Sequence, residues 1–408
     1  MVDKGILDGI KVLTLEQVHA LPWGTGFLAD LGAQVIRIES VHHLQDRKAG
    51  PFPGGKAGSE WWNEGGNLVY YGTRNKQSLC LDVTQPSGKE IFLELVKSAD
   101  IVTDNFRPGT MEAMGFGYDV LKKLNPKIIM INASAYGQDG PHRDKVGFDP
   151  IGQAMGGMMS LTGLKGDPPT KTYFPLIDRI TSLHATVGAL AALWEREISG
   201  EGQAIDVSLA DTGFTVNEIP LTAYLGDGYI TERSTSYGGA DNPLGGMYET
   251  SDGFVIIAAG NNNIWKRMCE AIDKPEWLTD DRFISRASRA ENGAAINDVL
   301  SIWFSERKMK DVVDYLSGFS IPCAPVNSVA QAAQESHLHE REILMEVPDP
   351  IAGKIHVAGK MIKFSRTEMV VGSTPTVGQH TEEILRDIAE YTEDEIKELD
   401  DNNVVARS

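Results

Sequence analysis

Ile10-Lys11-Val12-Leu13-Thr14-Leu15, then Thr25-Gly26-Phe27-Leu28-Ala29-Asp30-Leu31, then Gln34-Val35-Ile36-Arg37-Ile38-Glu39, decide the fold class. The outer runs read as buried strands and the middle one as a helix, so the chain opens β-α-β. Outward from there the pattern repeats: residues 78–83 read as strand, 88–98 as helix, 100–103 as strand, 118–124 as helix and 127–133 as strand. Strands alternating with helices at this spacing predict a Rossmann-like α/β domain, its parallel sheet covered on both faces. Ligands of such sheets sit beyond the carboxyl ends of the strands. Those ends are followed here by Gln17-Val18-His19-Ala20, by Asn105-Phe106-Arg107-Pro108-Gly109 and by Ala135-Tyr136-Gly137.

At 408 residues the chain exceeds what one core serves, so two domains are expected. A large domain is expected over 1–215, a linker over 216–245, a small α+β domain over 246–328, and a return of the chain to the large domain over 329–408. The small domain is marked by a hairpin around Ser251-Asp252-Gly253, by helices near 263–272, 294–304 and 309–316, and by an edge strand at 321–326 interrupted by Pro322 and Pro325. The tail ends in two short helices near 381–389 and 393–399, each with an acidic start.

The 57 acidic against 38 basic residues give a net charge of −19, which disfavours nucleic acid and anionic membrane as partners. No apolar run of about 20 residues stands out as a membrane span, and the N-terminus lacks a signal-peptide order. Cys80, Cys269 and Cys323 are odd in number and far apart, which signals neither a disulfide framework nor zinc and fits a reducing cytoplasm. His42-His43 and His337-Leu338-His339 lack a third convergent ligand, so no metal site is expected.

Pro168-Pro169-Thr170-Lys171-Thr172-Tyr173-Phe174-Pro175-Leu176-Ile177-Asp178 leads into a helix of small residues expected over 183–194. The prolines fix an extended approach, and Asp178 then stands where the helix begins. An acidic residue there serves equally well as an N-cap or, among neighbours as small as Ala185, Gly188 and Ala189, as a nucleophile within reach of a ligand. Gly24-Thr25-Gly26-Phe27-Leu28-Ala29 with Glu39 mimics a dinucleotide fingerprint, but eight residues separate Leu15 from Gly24, so the glycines fall in the helix instead of at the strand's end. There is no G-x-S-x-G elbow.

Taken together, Gly9-Ile10-Lys11-Val12-Leu13, Leu31-Gly32-Ala33-Gln34-Val35-Ile36-Arg37-Ile38-Glu39, Asn75-Lys76-Gln77-Ser78-Leu79-Cys80-Leu81-Asp82, Asn105-Phe106-Arg107-Pro108-Gly109, Gln153-Ala154-Met155-Gly156-Gly157 and Gly200-Glu201-Gly202-Gln203 resemble the class III CoA transferases, the family that includes formyl-CoA transferase and carnitine CoA-transferase. The resemblance places Asp178 on the family's catalytic aspartate. It implies transfer of CoA from an acyl-CoA to a free carboxylic acid through an aspartyl-CoA thioester, with CoA as carrier and no tightly bound cofactor. It further implies that Gln17 assists the chemistry, that Val18, His19 and Ala20 meet the thiol arm, that Lys76 and Arg107 lie near the CoA phosphates, and that Asn105, Phe106 and Met114 line the CoA pocket. Backbone N–H groups near Gln17 or around Gly238-Gly239 are candidates for oxyanion stabilisation. The family fold, a Rossmann-like large domain plus a small domain, implies a homodimer of two interlocked rings. Three positions depart from the pattern: Ser182 stands where the family often has glycine, Ser40 where formyl-CoA transferase has a basic residue, and no lysine occurs over 133–136. Two alternatives stand beside this reading. One is an α-methylacyl-CoA racemase, whose histidine position is Phe148 here; the other is a non-catalytic CoA-binding protein. An apolar wall built from Tyr136, Tyr173, Phe174 and the methionines of 155–159 is expected to receive the acyl group.

Overall fold

The computed structural model describes residues 5–40, 42, 47, 72–234, 244–258, 260–349 and 353–407. The chain divides into two compact units, one formed by Met1–Met158, Thr172–Glu218 and Ser336–Ser408, the other by Met159–Lys171 and Ile219–Glu335. The smaller unit therefore begins upstream of residue 246 and also takes in the short Met159–Lys171 segment, while the tail belongs to the larger one.

The larger unit is built on a seven-stranded sheet: β1 (Lys11–Leu15), β2 (Gln34–Glu39), β3 (Gln77–Leu81), β4 (Ile101–Asp104), β5 (Ile129–Ser134), β6 (Ala204–Ser208) and β12 (Val405–Ala406), in the order β12-β3-β2-β1-β4-β5-β6. All neighbours run parallel except β12, which pairs antiparallel with β3. The order 3-2-1-4-5-6 is that of a doubly wound sheet whose direction of winding reverses between β1 and β4. There Leu15 pairs with Asp104 at the carboxyl ends of both strands, so the loops that follow, starting at Glu16 and Asn105, flank the switch point. Burial on both faces explains the apolar runs. Leu13 and Leu15 point to a core with Ile91, Phe92 and the tail residues Ile384 and Ile396, while Val12 points to a second core with Phe27, Leu28, Ala185 and Ala189.

The second core is organised by the helix Leu176–Ser199, longer at both ends than its expected span of 183–194. Its Ala185 and Ala189 share that core with Phe27 and Leu28 of the helix Pro22–Asp30, while Gly188 makes room for Ile205 of β6. A Cβ on Gly24 would lie 2.6 Å from the Ser182 carbonyl oxygen, which is why Gly24 and Gly26 belong to helix packing and not to a phosphate loop. Gly200, at φ +80°, ends the helix in the left-handed conformation. By length and a mean hydropathy of 1.2 this helix qualifies as a membrane-span candidate, which no unbroken apolar run in the sequence had suggested. Half of that stretch is buried in the larger unit and it carries Asp178 and Arg179 in its first turn, as a core helix does.

In the smaller unit β7 (Met247–Thr250) and β8 (Gly253–Ile257) form the expected hairpin, with β9 (Cys323–Pro325) as the edge strand. Helices Asn262–Ala271, Gly293–Ser305 and Met309–Gly318 contribute to its core, together with a stacked Trp265–Trp277 pair at 5.6 Å. Back in the larger unit, β10 (Leu344–Asp349) and β11 (Gly353–Ala358) pair antiparallel, and the two tail helices span Thr381–Asp387 and Glu393–Asp401, the latter opened by a Thr392–Glu395 capping box.

Candidate active site

Asp178 lies in the first turn of the helix Leu176–Ser199, yet its carboxylate does not cap that helix. The cap comes from Asp149, 29 residues upstream, whose Oδ1 accepts from the N–H groups of Ile177 at 2.6 Å and of Asp178 itself at 3.0 Å. Asp149 is held in turn by the Gln153 amide, one turn along its own helix Asp149–Met155, and Gln153 is tied to Thr172 through the Thr172 N–H at 3.0 Å. The first-turn donors of the long helix are thus satisfied from outside. Asp178 is left with a buried carboxylate that no hydrogen-bond donor reaches among the described residues. Burial raises its pKa from 3.8 to about 7; the negative charge of Asp149 adds to this and Arg179 opposes it. Neither Asp149 nor Gln153 was expected at the site. A cap that spans 29 residues has no local signature, and the Asp149-Pro150 helix start was the one available hint.

Around Asp178 the larger unit forms a cleft at the switch point, lined by Gln17, Val18, His19 and Ala20 after β1 and by Asn105 after β4. Six of the residues expected at the site, Asp178 included, therefore converge. The apolar wall is built from Val18, Ala133, Ala135, Phe148 and Leu209. Tyr136, Tyr173, Phe174 and the methionines of 155–159 do not line this cleft; Tyr173 is 97% exposed, and Tyr136 packs edge-on against His142. The Asn105 side chain lies against the Gln17 backbone like a short strand: its Oδ1 accepts from the Gln17 N–H at 2.9 Å and its Nδ2 donates to the Gln17 carbonyl at 2.6 Å. The Gln17 N–H is therefore committed and is not free for an oxyanion, whereas the Gln17 side chain is exposed. Gly238 and Gly239 lie outside the described residues.

A second cleft shares Gln17 and continues along the carboxyl ends of β1, β2 and β3, with Phe106, Met114, Leu15, Ile38 and Leu81 as apolar walls and Ser40, Asp82 and Thr84 as polar groups. Phe106 and Met114 are thus brought to one concavity next to the Asp178 cleft. Arg107, on the same loop as Asn105 and Phe106, is exposed and lines neither cleft.

Lys76 corrects an expectation. Its ammonium is buried under the sheet's end, donating to the Glu16 carboxylate, to the Thr25 hydroxyl at 2.6 Å and to the Pro22 carbonyl at 3.0 Å. A lysine has three donors and all three are used, so Lys76 has none left for a phosphate. Burial pushes its pKa down to about 8, against the pull of Glu16. Lys76 instead belongs to a buried polar layer that anchors the helix Pro22–Asp30 beneath the cleft.

The family model described as CoA-transferase family III matches residues 7–381. The chain is 32% identical over 401 residues to a succinyl-CoA–D-citramalate CoA-transferase of Chloroflexus aurantiacus, covering 98% of each chain. It is 34% identical to a succinyl-CoA:mesaconate CoA-transferase of Haloarcula hispanica, covering 93% of this chain and 96% of that one. Among solved structures, a CAIB/BAIF family protein from Brucella suis superposes with a TM-score of 0.83 at 28% identity, covering 94% of this chain and all of the other. With a doubly wound sheet, a buried carboxylate at its switch point and a family match over nearly its whole length, the chain belongs to CoA-transferase family III.

Proposed function

We propose that Asp178 is the nucleophile that carries the acyl and CoA groups during transfer. One Asp178 oxygen attacks the acyl-CoA carbonyl, the C–S bond breaks, and CoA leaves as the thiolate, giving a mixed anhydride. The thiolate then attacks the Asp178 side of the anhydride and releases the donor acid as its carboxylate. The acceptor carboxylate attacks the resulting aspartyl-CoA thioester, and the thiolate returns to the acceptor's carbonyl, freeing Asp178. No proton is gained or lost overall, and each intermediate stays about as activated as the thioester it replaces. The observation that carries this reading is the Asp178 carboxylate itself, buried in the cleft and relieved of capping by Asp149. Its raised proton affinity makes the ionised form a stronger nucleophile, and the buried Ala133 and Leu209 of the wall offer the anhydride an apolar surface.

Dicarboxylic acids are the substrate class, with succinyl-CoA as donor, in line with the relatives named above. Two chains form a homodimer of interlocked rings. Association of two chains is supported by the helix Leu176–Ser199, which leaves Val187, Trp194 and Ile198 64%, 72% and 75% exposed along one face. Succinyl-CoA incubated with the protein and quenched with hydroxylamine tests the covalent step. A hydroxamate on the peptide containing Asp178 is expected; CoA exchange that persists in Asp178→Asn overturns it. Deuterium washing into the substrate's α-carbon without exchange between acids would favour the racemase, for which the cleft offers Phe148 in place of a histidine.

A further inference from the structure

Val18, in the turn beside Asp178, has φ +60°, a left-handed conformation that β-branched residues almost never adopt. Such strain persists only where the surroundings over-determine it. Here they do so from both sides. On the N-terminal side, the Asn105 amide holds both the N–H and the carbonyl of Gln17. On the C-terminal side, the fully buried Ser182 hydroxyl has the Ala20 carbonyl as its nearest acceptor, with the His19 carbonyl at 3.4 Å. Ser182 sits one helical turn beyond Asp178, and its hydroxyl also lies 2.8 Å from the Asp178 carbonyl. The chain beyond the turn is fixed as well, since Gly24 in the following helix packs directly on the Ser182 carbonyl.

We propose that Ser182 and Asn105 are positioning residues that clamp the Gln17–Ala20 turn in a strained, preorganised form against the cleft of Asp178. The clamp sets the rate of acyl transfer and not the affinity for CoA. It registers the turn to the helix that bears the nucleophile, so that the distance between Asp178 and the groups after β1 does not depend on loop fluctuation. Ser182 is the distinctive element: the glycine of the family pattern would leave the Ala20 carbonyl without this donor. Asn105 accordingly acts through Gln17 and not as a pocket wall alone.

This inference rests on the transferase reading for its kinetic arm only. The reaction to follow is the exchange of isotope-labelled succinate into succinyl-CoA. Ser182→Ala is expected to lower kcat about tenfold or more while KM for succinyl-CoA stays within about threefold. Val18→Gly in that background is expected to restore most of the rate, because glycine occupies the left-handed region without strain and no longer needs the clamp. A loss of core packing would not be rescued this way. Should Ser182→Ala fail to fold, Asn105→Ala with and without Val18→Gly gives the same comparison. Unchanged kcat in both single variants, or no recovery with Val18→Gly, overturns the clamp. Hydrogen exchange of the peptide spanning residues 16–21 decides independently of turnover. Faster exchange in Asn105→Ala and Ser182→Ala supports the clamp, and equal exchange overturns it. A wild-type protein inert toward every donor would sink the transferase reading and leave the exchange measurement to decide.

Discussion

A carboxylate in the first turn of a helix is ordinarily spent on the helix, and Asp178 is spared because Asp149 takes that duty from a distance. Burial is the main cause of the raised Asp178 pKa and the charge of the same neighbour adds to it, so charge and geometry can be separated by substitution. Asp149→Asn keeps an oxygen to accept from Ile177 and Asp178 but removes the charge. With the Asp178 pKa raised to about 7, its carboxyl is mostly protonated below that pH, and with Asp178 as the proposed nucleophile activity is expected to fall as pH drops through 7. In Asp149→Asn the acid limb of the kcat/KM profile is expected to move to lower pH, with a lowered thermal midpoint because the new amide NH2 faces the Gln153 donor instead of accepting from it; an unmoved limb would remove Asp149 from the electrostatics. Lys76 supplies a contrasting prediction. Lys76→Met leaves Glu16 buried without its partner and is expected to cost about 3–5 kcal/mol in urea unfolding, a loss of stability and not a selective rise in KM for CoA. That Asp178, Gln17 and Asn105 share one cleft was legible in the sequence, because each follows a strand or opens a helix in a recognisable stretch. The sequence concealed the roles of Asp149 and Lys76, because a cap formed by a separate segment and a lysine turned inward leave no trace in local pattern.

Among the elements, the helix Leu176–Ser199 connects fold to chemistry, presenting Asp178 and Ser182 on a face that packs against the helix Pro22–Asp30. The run of small residues marks the helix only from 183, whereas the Asp149 cap lets it start at Leu176, directly after Pro175. The strands were easier, because both-face burial writes an apolar run that needs no turn chemistry to recognise; β1 and β2 fall where their hydrophobic runs put them, while the two-residue β12 is too short to signal itself. The contact between the two helices is testable at Gly24. A methyl there would meet the Ser182 carbonyl oxygen at 2.6 Å, a backbone atom that cannot swing aside. Gly24→Ala is therefore expected to cost about 1–3 kcal/mol by overpacking, despite alanine's better helix propensity, and to lower kcat by displacing Ser182. A urea midpoint equal to wild type would show that the helices part without penalty.

For the whole molecule, the doubly wound sheet puts the loops after β1 and β4 on either side of one crevice, and the acidic surface leaves CoA to be recognised by local groups and not by a general positive field. The alternation of strands and helices made this architecture readable from the first 135 residues; the inclusion of Met159–Lys171 in the smaller unit was not, since nothing in its composition ties it to residues a long way down the chain. The proposed interlocked dimer predicts that light scattering finds no folded monomer and that the unfolding midpoint rises with protein concentration; a stable folded monomer would contradict it. Covalent transfer through Asp178 is followed by mass spectrometry of the protein during turnover with succinyl-CoA and a labelled dicarboxylic acid. Label in new acyl-CoA together with CoA or acyl mass on the Asp178 peptide is expected, both absent in Asp178→Asn. Exchange that continues in Asp178→Asn, with no adduct at that peptide in either protein, would contradict it.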